Sequence, residues 1–139
     1  MRSIVLAAAL LAGGLSVTAA CNEGAPSVPA SADPQGKDLV KGAVVAAAES
    51  SGGIRLYKIV HVDDYPPPIG YELHMIAYDP KVQSYEEAAK LWKKKEGVSV
   101  VLDHVHVQLV QFLMRDRRVL AVEPVSDEEL KPYLRSKRQ

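Results

Sequence analysis

Residues 22–36 read NEGAPSVPASADPQG, a run of Pro, Ser, Ala, Gly and isolated acids without apolar periodicity. Such a segment cannot bury enough apolar surface to offset the entropy of ordering it, so it reads as a flexible tether. Packing is thereby confined to residues 37–139, a length of 103 residues, which suits one small domain with a single core. No internal repeat is visible at the periods of solenoids or propellers.

Ahead of the tether, Arg2 precedes the apolar run 4–12, followed by Gly13-Gly14 and small residues. This is the three-part anatomy of an export signal, and the apolar core falls short of the ~20 residues a membrane-spanning helix needs. Ser16-Val17-Thr18-Ala19-Ala20-Cys21 resembles the lipobox of bacterial lipoproteins, with Thr18 where that family usually has Leu. The resemblance implies that residues 1–20 are a cleaved signal peptide. It also implies that Cys21, diacylated on sulfur, becomes a membrane-anchored N-terminus in the cell envelope. Asn22 follows the cysteine in place of the Asp of many inner-membrane lipoproteins, which implies the outer membrane. The alternative is an ordinary secretory signal, since Thr18 and Ala20 also supply small side chains at the positions a signal peptidase reads. Cys21, the only cysteine, would then be a lone thiol in an oxidising compartment.

Of the 17 basic residues only Arg2 falls within 1–20, and none of the 17 acidic ones does, so the mature chain has 16 against 17 and a net charge near −1. Such a balance gives no electrostatic ground for binding nucleic acid.

Within 37–139 the periodicity predicts a first helix over 38–49. Asp38 serves as its N-cap, Leu39, Ala43, Ala46 and Ala47 form an apolar stripe widened by Val40, Val44 and Val45, and Gly52-Gly53 follow its end. Residues 54–62 and 69–78 read as two antiparallel strands joined by a stiff loop over 63–68. Ser84 and Glu87 form a capping box for the best-marked helix, whose inner stripe is Ala88, Leu91 and Trp92. Its C-terminal half carries Lys90, Lys93, Lys94 and Lys95, which complement the helix dipole. Contact with anionic lipid is a second use for those lysines, although Glu86, Glu87 and Glu96 among them favour a solvated face. Strand character returns over 98–102 and 105–114, with a bend or bulge expected near Asp103-His104 and a helical alternative open for 109–114. A polar turn over 115–118 leads to a strand over 119–122. A second capping box, Ser126 with Glu129, then opens a short helix containing Pro132, with Val125 and Leu130 as a hydrophobic staple.

This order predicts an α+β fold: an antiparallel β-sheet of about four strands with helices packed on one face. The stretch 38–78 resembles the cystatin-like arrangement of a helix lying across a curled sheet.

No nucleophile elbow, zinc-protease motif, glycine-rich phosphate loop or second cysteine is present, so a non-enzymatic role without a resident cofactor is expected. The constellation that stands out is His61, His74, His104 and His106, each in or beside a predicted strand. His104 and His106 project from one face of a strand about 7 Å apart at Cα, a spacing that suits one zinc or copper ion if another strand brings His61 or His74 alongside. Asp63 and Asp103 are the carboxylates nominated to complete the site or orient its imidazoles. The bland alternative is a set of half-exposed strand histidines facing water, with Val105, Val107 and Leu109 facing the core. Tyr65, Pro66, Pro67, Pro68 and Tyr71 form a second candidate, a rigid aromatic surface for an envelope protein or cell-wall partner, with a plain rigid turn as its alternative. The reading is a membrane-anchored envelope lipoprotein whose small domain is a binding module, with metal binding through the histidines as the alternative.

Overall fold

The structure is a computed structural model and describes residues 33–139; the signal peptide expected over 1–20 and Cys21 lie outside the described residues. Five strands, β1 (Ala43–Ala48), β2 (Ile54–Tyr65), β3 (Gly70–Val82), β4 (Ser99–Gln108) and β5 (Arg117–Val122), form one antiparallel sheet in the order β4-β3-β2-β1-β5. Three helices join it: α1 (Tyr85–Lys94), α2 (Leu109–Leu113) and α3 (Asp127–Ser136). Among the described residues no helix is long and apolar enough to cross a membrane.

The helix expected over 38–49 is instead the strand β1, and this is why the sheet has five strands and not four. Ala43 to Ala47 are completely buried, because β1 lies between β2 and β5 and is covered on both faces. A strand buried on both faces shows no alternation, and an unbroken Ala/Val run satisfies a helical stripe equally well. Tertiary pairing then overrides the helix propensity of alanine. The cystatin-like resemblance rested on that helix and does not survive its loss.

The sheet has two apolar faces, and helices cover both. Val44, Ala46, Leu56, Val60, Ile76 and Tyr78 pack against Ala88 and Trp92 of α1 and Tyr133 of α3. Val45, Ala47, Tyr57, Ile59, Leu73, Met75 and Ala77 pack against Phe112 of the short α2 and against Leu39. The expected placement of all helices on one face is corrected accordingly. Residues 109–114, readable either way, turn helical directly after β4.

Local signals worked where they were local. Ser126 and Glu129 make the reciprocal capping box, whereas of the box expected at Ser84 only half forms: Ser84 accepts from the Glu87 amide, but the Glu87 side chain accepts from the Gln83 amide instead of that of Ser84. Strand β4 carries a bulge where Leu102 to Val105 oppose Ala77 to Met75, at the bend expected near Asp103-His104. A second bulge, in β2 between Ile59 and His61, had no sequence signal.

Part of the expected tether is held by the domain. The buried guanidinium of Arg117 donates to the Asp33 carbonyl at 2.5 Å and to the Leu113 carbonyl at 3.2 Å, pinning the start of the described chain to the end of α2. Gly36, with φ of 70°, packs beside Leu109 and Leu113.

Candidate functional site

Strand register brings the histidines together. His61 on β2 pairs with His74 on β3, and His74 pairs with His106 on β4, so three imidazoles line up across three adjacent strands. The β4 bulge lies just before His104 and leaves it beside His106, two residues away on the same face, the face covered by α3. The β2 bulge shifts register by one residue, which turns His61 and Asp63 to that face while Val62 packs into the opposite cluster.

Asp63 is the keystone. Its carboxylate accepts from His74 Nε2 at 2.9 Å, Tyr133 Oη at 3.0 Å, Tyr65 Oη at 3.1 Å and Lys137 Nζ at 2.6 Å, with His61 Nε2 at 3.2 Å. Burial alone would raise its pKa, but the hydrogen bonds from Lys137, Tyr133, Tyr65 and His74 outweigh it and hold the group well below the usual carboxylate range. The same contacts raise Lys137, which is exposed and also donates to Tyr65 Oη at 2.7 Å.

An ionised Asp63 fixes the tautomer of His74, inferred from the hydrogen-bond network: Nε2 carries the proton and Nδ1 a lone pair. That lone pair meets His104 Nε2 at 3.0 Å. A centroid separation of 5.2 Å and an interplanar angle of 4° place the two rings edge to edge in one plane, not face to face. Asp63, His74 and His104 therefore form a continuous hydrogen-bonded carboxylate–imidazole–imidazole chain. Burial lowers the pKa of both His74 and His104, with Asp63 opposing the shift at His74 and His106 adding to it at His104. Both rings are accordingly neutral bases at pH 7.

His106 repeats the pattern. Its Nδ1 lies 2.5 Å from Glu72 Oε1, which leaves Nε2 as the free nitrogen. Its centroid is 6.2 Å from that of His74 and 6.0 Å from that of His104. His61 stands apart, stacked on Tyr133 at 4.5 Å. Together with Tyr65, Ser136 and Lys137, the three rings line an open cleft of about 300 Å³. Among the described residues no three His, Cys, Asp or Glu side chains are so placed that they could hold a metal ion. A larger hollow of about 530 Å³ lies between α3 and Asp103, but two of its ion pairs, Lys131 with Glu128 and Arg135 with Asp103, close within it, and it holds none of this chemistry.

Of the carboxylates nominated from sequence, Asp63 is central, whereas Asp103 is exposed and pairs with Arg135 at 3.4 Å. Tyr65 and Tyr71 do not form one aromatic surface. Tyr65 joins the histidine cleft, Tyr71 lines a groove on the opposite sheet face beside Leu109, and Pro66, Pro67 and Pro68 are the exposed turn between them. Sequence reasoning passed over Glu72, Tyr133 and Lys137. Glu72 was readable, being two residues from His74 on the same strand face, and Tyr133 and Lys137 share a helix face by their spacing of four. Comparison of the chain with protein-family models, with curated proteins and with solved structures finds no match.

Proposed function

We propose that this is a membrane-tethered, non-enzymatic binding module of the cell envelope, and that its folded domain binds a divalent transition-metal ion, zinc or copper, in the histidine cleft. The ligands in this reading are His74 Nδ1, His104 Nε2 and His106 Nε2. One observation carries it: two carboxylates, Asp63 and Glu72, each hold one nitrogen of an imidazole, His74 Nε2 and His106 Nδ1, which leaves His74 Nδ1 and His106 Nε2 as the nitrogens available to a metal. That is how proteins orient histidine for a metal and raise its basicity. Two of the rings are neutral at pH 7, as ligation requires. Loading needs two adjustments. His104 changes tautomer, its proton passing from Nε2 to Nδ1 by exchange with solvent so that Nε2 is freed, and His106 swings inward.

Calorimetric titration of the full chain with zinc chloride and with copper chloride tests this. One ion per chain is expected, with affinity lowered about 10-fold to 100-fold by Asp63→Asn or Glu72→Gln and abolished by His104→Ala. His61→Ala should leave binding intact. Absence of saturable binding of either ion would end the metal reading. The anchor is tested separately by the mass of the N-terminal peptide, expected to begin at Cys21 and to carry acyl chains.

A further inference from the structure

The two faces of the sheet are covered unequally. Two ten-residue helices, α1 and α3, lie over one, whereas the other has the five-residue α2 and the segment around Leu39. Large apolar side chains stay open on the thin side: Met114 and Val110, at the end and on the outside of α2, are 87 % and 63 % exposed, and Tyr71 is 49 % exposed. Apolar grooves flank α2. One, of about 240 Å³, is lined by Leu109, Leu73, Tyr71 and Lys37; the other, of about 300 Å³, has Val101, Leu102 and Val105 together with Glu49, Tyr57 and Arg115, the last donating to Tyr57 Oη at 3.3 Å. Lys37 and Arg115 add exposed cations at their rims. Scattered apolar residues on a surface are ordinary, but a cluster beside cations on one side of a domain marks an interface.

The path of the chain says what that interface meets. Arg117 fastens Asp33 to the end of α2, so the chain toward Cys21 departs next to Met114. Twelve positions separate Cys21 from Asp33, which reach at most about 40 Å when fully extended and about 20 Å as a flexible coil. An acylated Cys21 therefore keeps this face at high effective concentration near the bilayer.

We propose that the α2 face docks on the phospholipid surface, with Val110, Met114 and Tyr71 entering the interface and Lys37 and Arg115 meeting anionic headgroups. The arrangement turns the histidine cleft, which lies across the sheet, toward the aqueous side. The proposal rests on the acyl-anchor part of the function proposed above and is independent of the metal.

The test uses the full acylated chain in vesicles of phosphatidylethanolamine and phosphatidylglycerol doped with bromine-labelled phosphatidylcholine. In a Trp92→Phe background, Met114→Trp should be quenched at least about twofold more than Leu134→Trp on α3, as burial in the headgroup boundary requires. Adding Val110→Asp should reduce that quenching while circular dichroism stays unchanged. Equal quenching at the two positions, with acylation of Cys21 confirmed by mass, overturns the docking face and leaves the anchor standing. A chain recovered with an unmodified Cys21 overturns both. Should Trp92→Phe fail to fold, trypsin cleavage after Arg115 in the native background gives the same answer. Vesicles should slow it, and Val110→Asp with Met114→Asp should restore it; cleavage at the solution rate in the wild type overturns the proposal.

Discussion

The phenol of Tyr133, on α3, donates to Oδ1 of Asp63, on β2, at 3.0 Å, closing a loop of 70 residues through a single hydrogen bond. Because Asp63 also receives His74, Tyr65 and Lys137, the C-terminal helix and the histidine cleft share one carboxylate. Asp63→Asn turns an acceptor of several donors into a group that brings two donors of its own. We expect it to destabilise the domain by about 2–4 kcal/mol, read as a midpoint shift in urea unfolding. Hydrogen exchange should quicken first in α3, whose docking depends on that contact. Unchanged exchange in α3 would contradict the keystone role.

Lys58, buried in β2, donates to both oxygens of Glu129 at 2.9 and 3.0 Å and to the Pro124 carbonyl at 2.9 Å. Lys58→Ala should cost about 2–3 kcal/mol, less than the 3–5 of a fully buried pair because Glu129 keeps partial contact with water. Burial raises the Glu129 pKa, but the Ser126 amide and Lys58 outweigh it and the net shift is downward. A depressed acid stabilises the fold fully above its unfolded-state pKa, about 4.3 for Glu, and the contribution fades as pH falls below that value toward the folded pKa. Unfolding measured from pH 7 to pH 3 should show a steeper acid loss in the wild type than in Glu129→Gln.

Gly42 enters β1 with φ of 90°, and an added Cβ would run into the carbonyl oxygen of Glu123. The obstacle is backbone, and it is held by the bond from the Glu123 amide to the Gly42 carbonyl at 2.9 Å. Gly42→Ala should therefore cost about 2 kcal/mol or more, whereas Gly52→Ala, with open space around the new methyl group, should cost less despite its φ of 92°. Thermal melts of the two variants make the comparison.

Phe112 and Met114 lie two residues apart, one completely buried and the other 87 % exposed. Phe112→Ala removes the side chain that α2 lends to its sheet face and should cost about 3–5 kcal/mol. Met114→Asp should change stability in solution by no more than about 0.5 kcal/mol. Equal losses would mean that α2 is packed otherwise than its burial pattern says.

Features carried by neighbours along the chain were readable in advance. Ser84 and Ser126 announced their helices, the Asp103-His104 bulge was anticipated, and His104 and His106 share a face by strand alternation alone. What escaped depends on partners far along the chain. The stretch Ala43–Ala48 is a strand only because β2 and β5 flank it. His61, His74 and His106 align only because register across β2, β3 and β4 is fixed by bulges, one of which had no signal in the residues around it. Asp63 was nominated, but its grip on α3 was hidden, since nothing in the spacing of Tyr133 and Lys137 says where that helix lies.

The place of β1 between β2 and β5 has a consequence for how the chain is made. One neighbour, β2, follows at once, while the other, β5, begins at Arg117, so Val45 waits for Val119 across some seventy residues of chain. A polypeptide emerging N-terminus first carries through most of its synthesis an apolar strand with one bare edge, the kind of edge that recruits foreign strands. Closure by so distant a partner is also slow. Products truncated before residue 117 should aggregate instead of folding into a smaller sheet, and a holding chaperone would have its task at Ala43–Ala48.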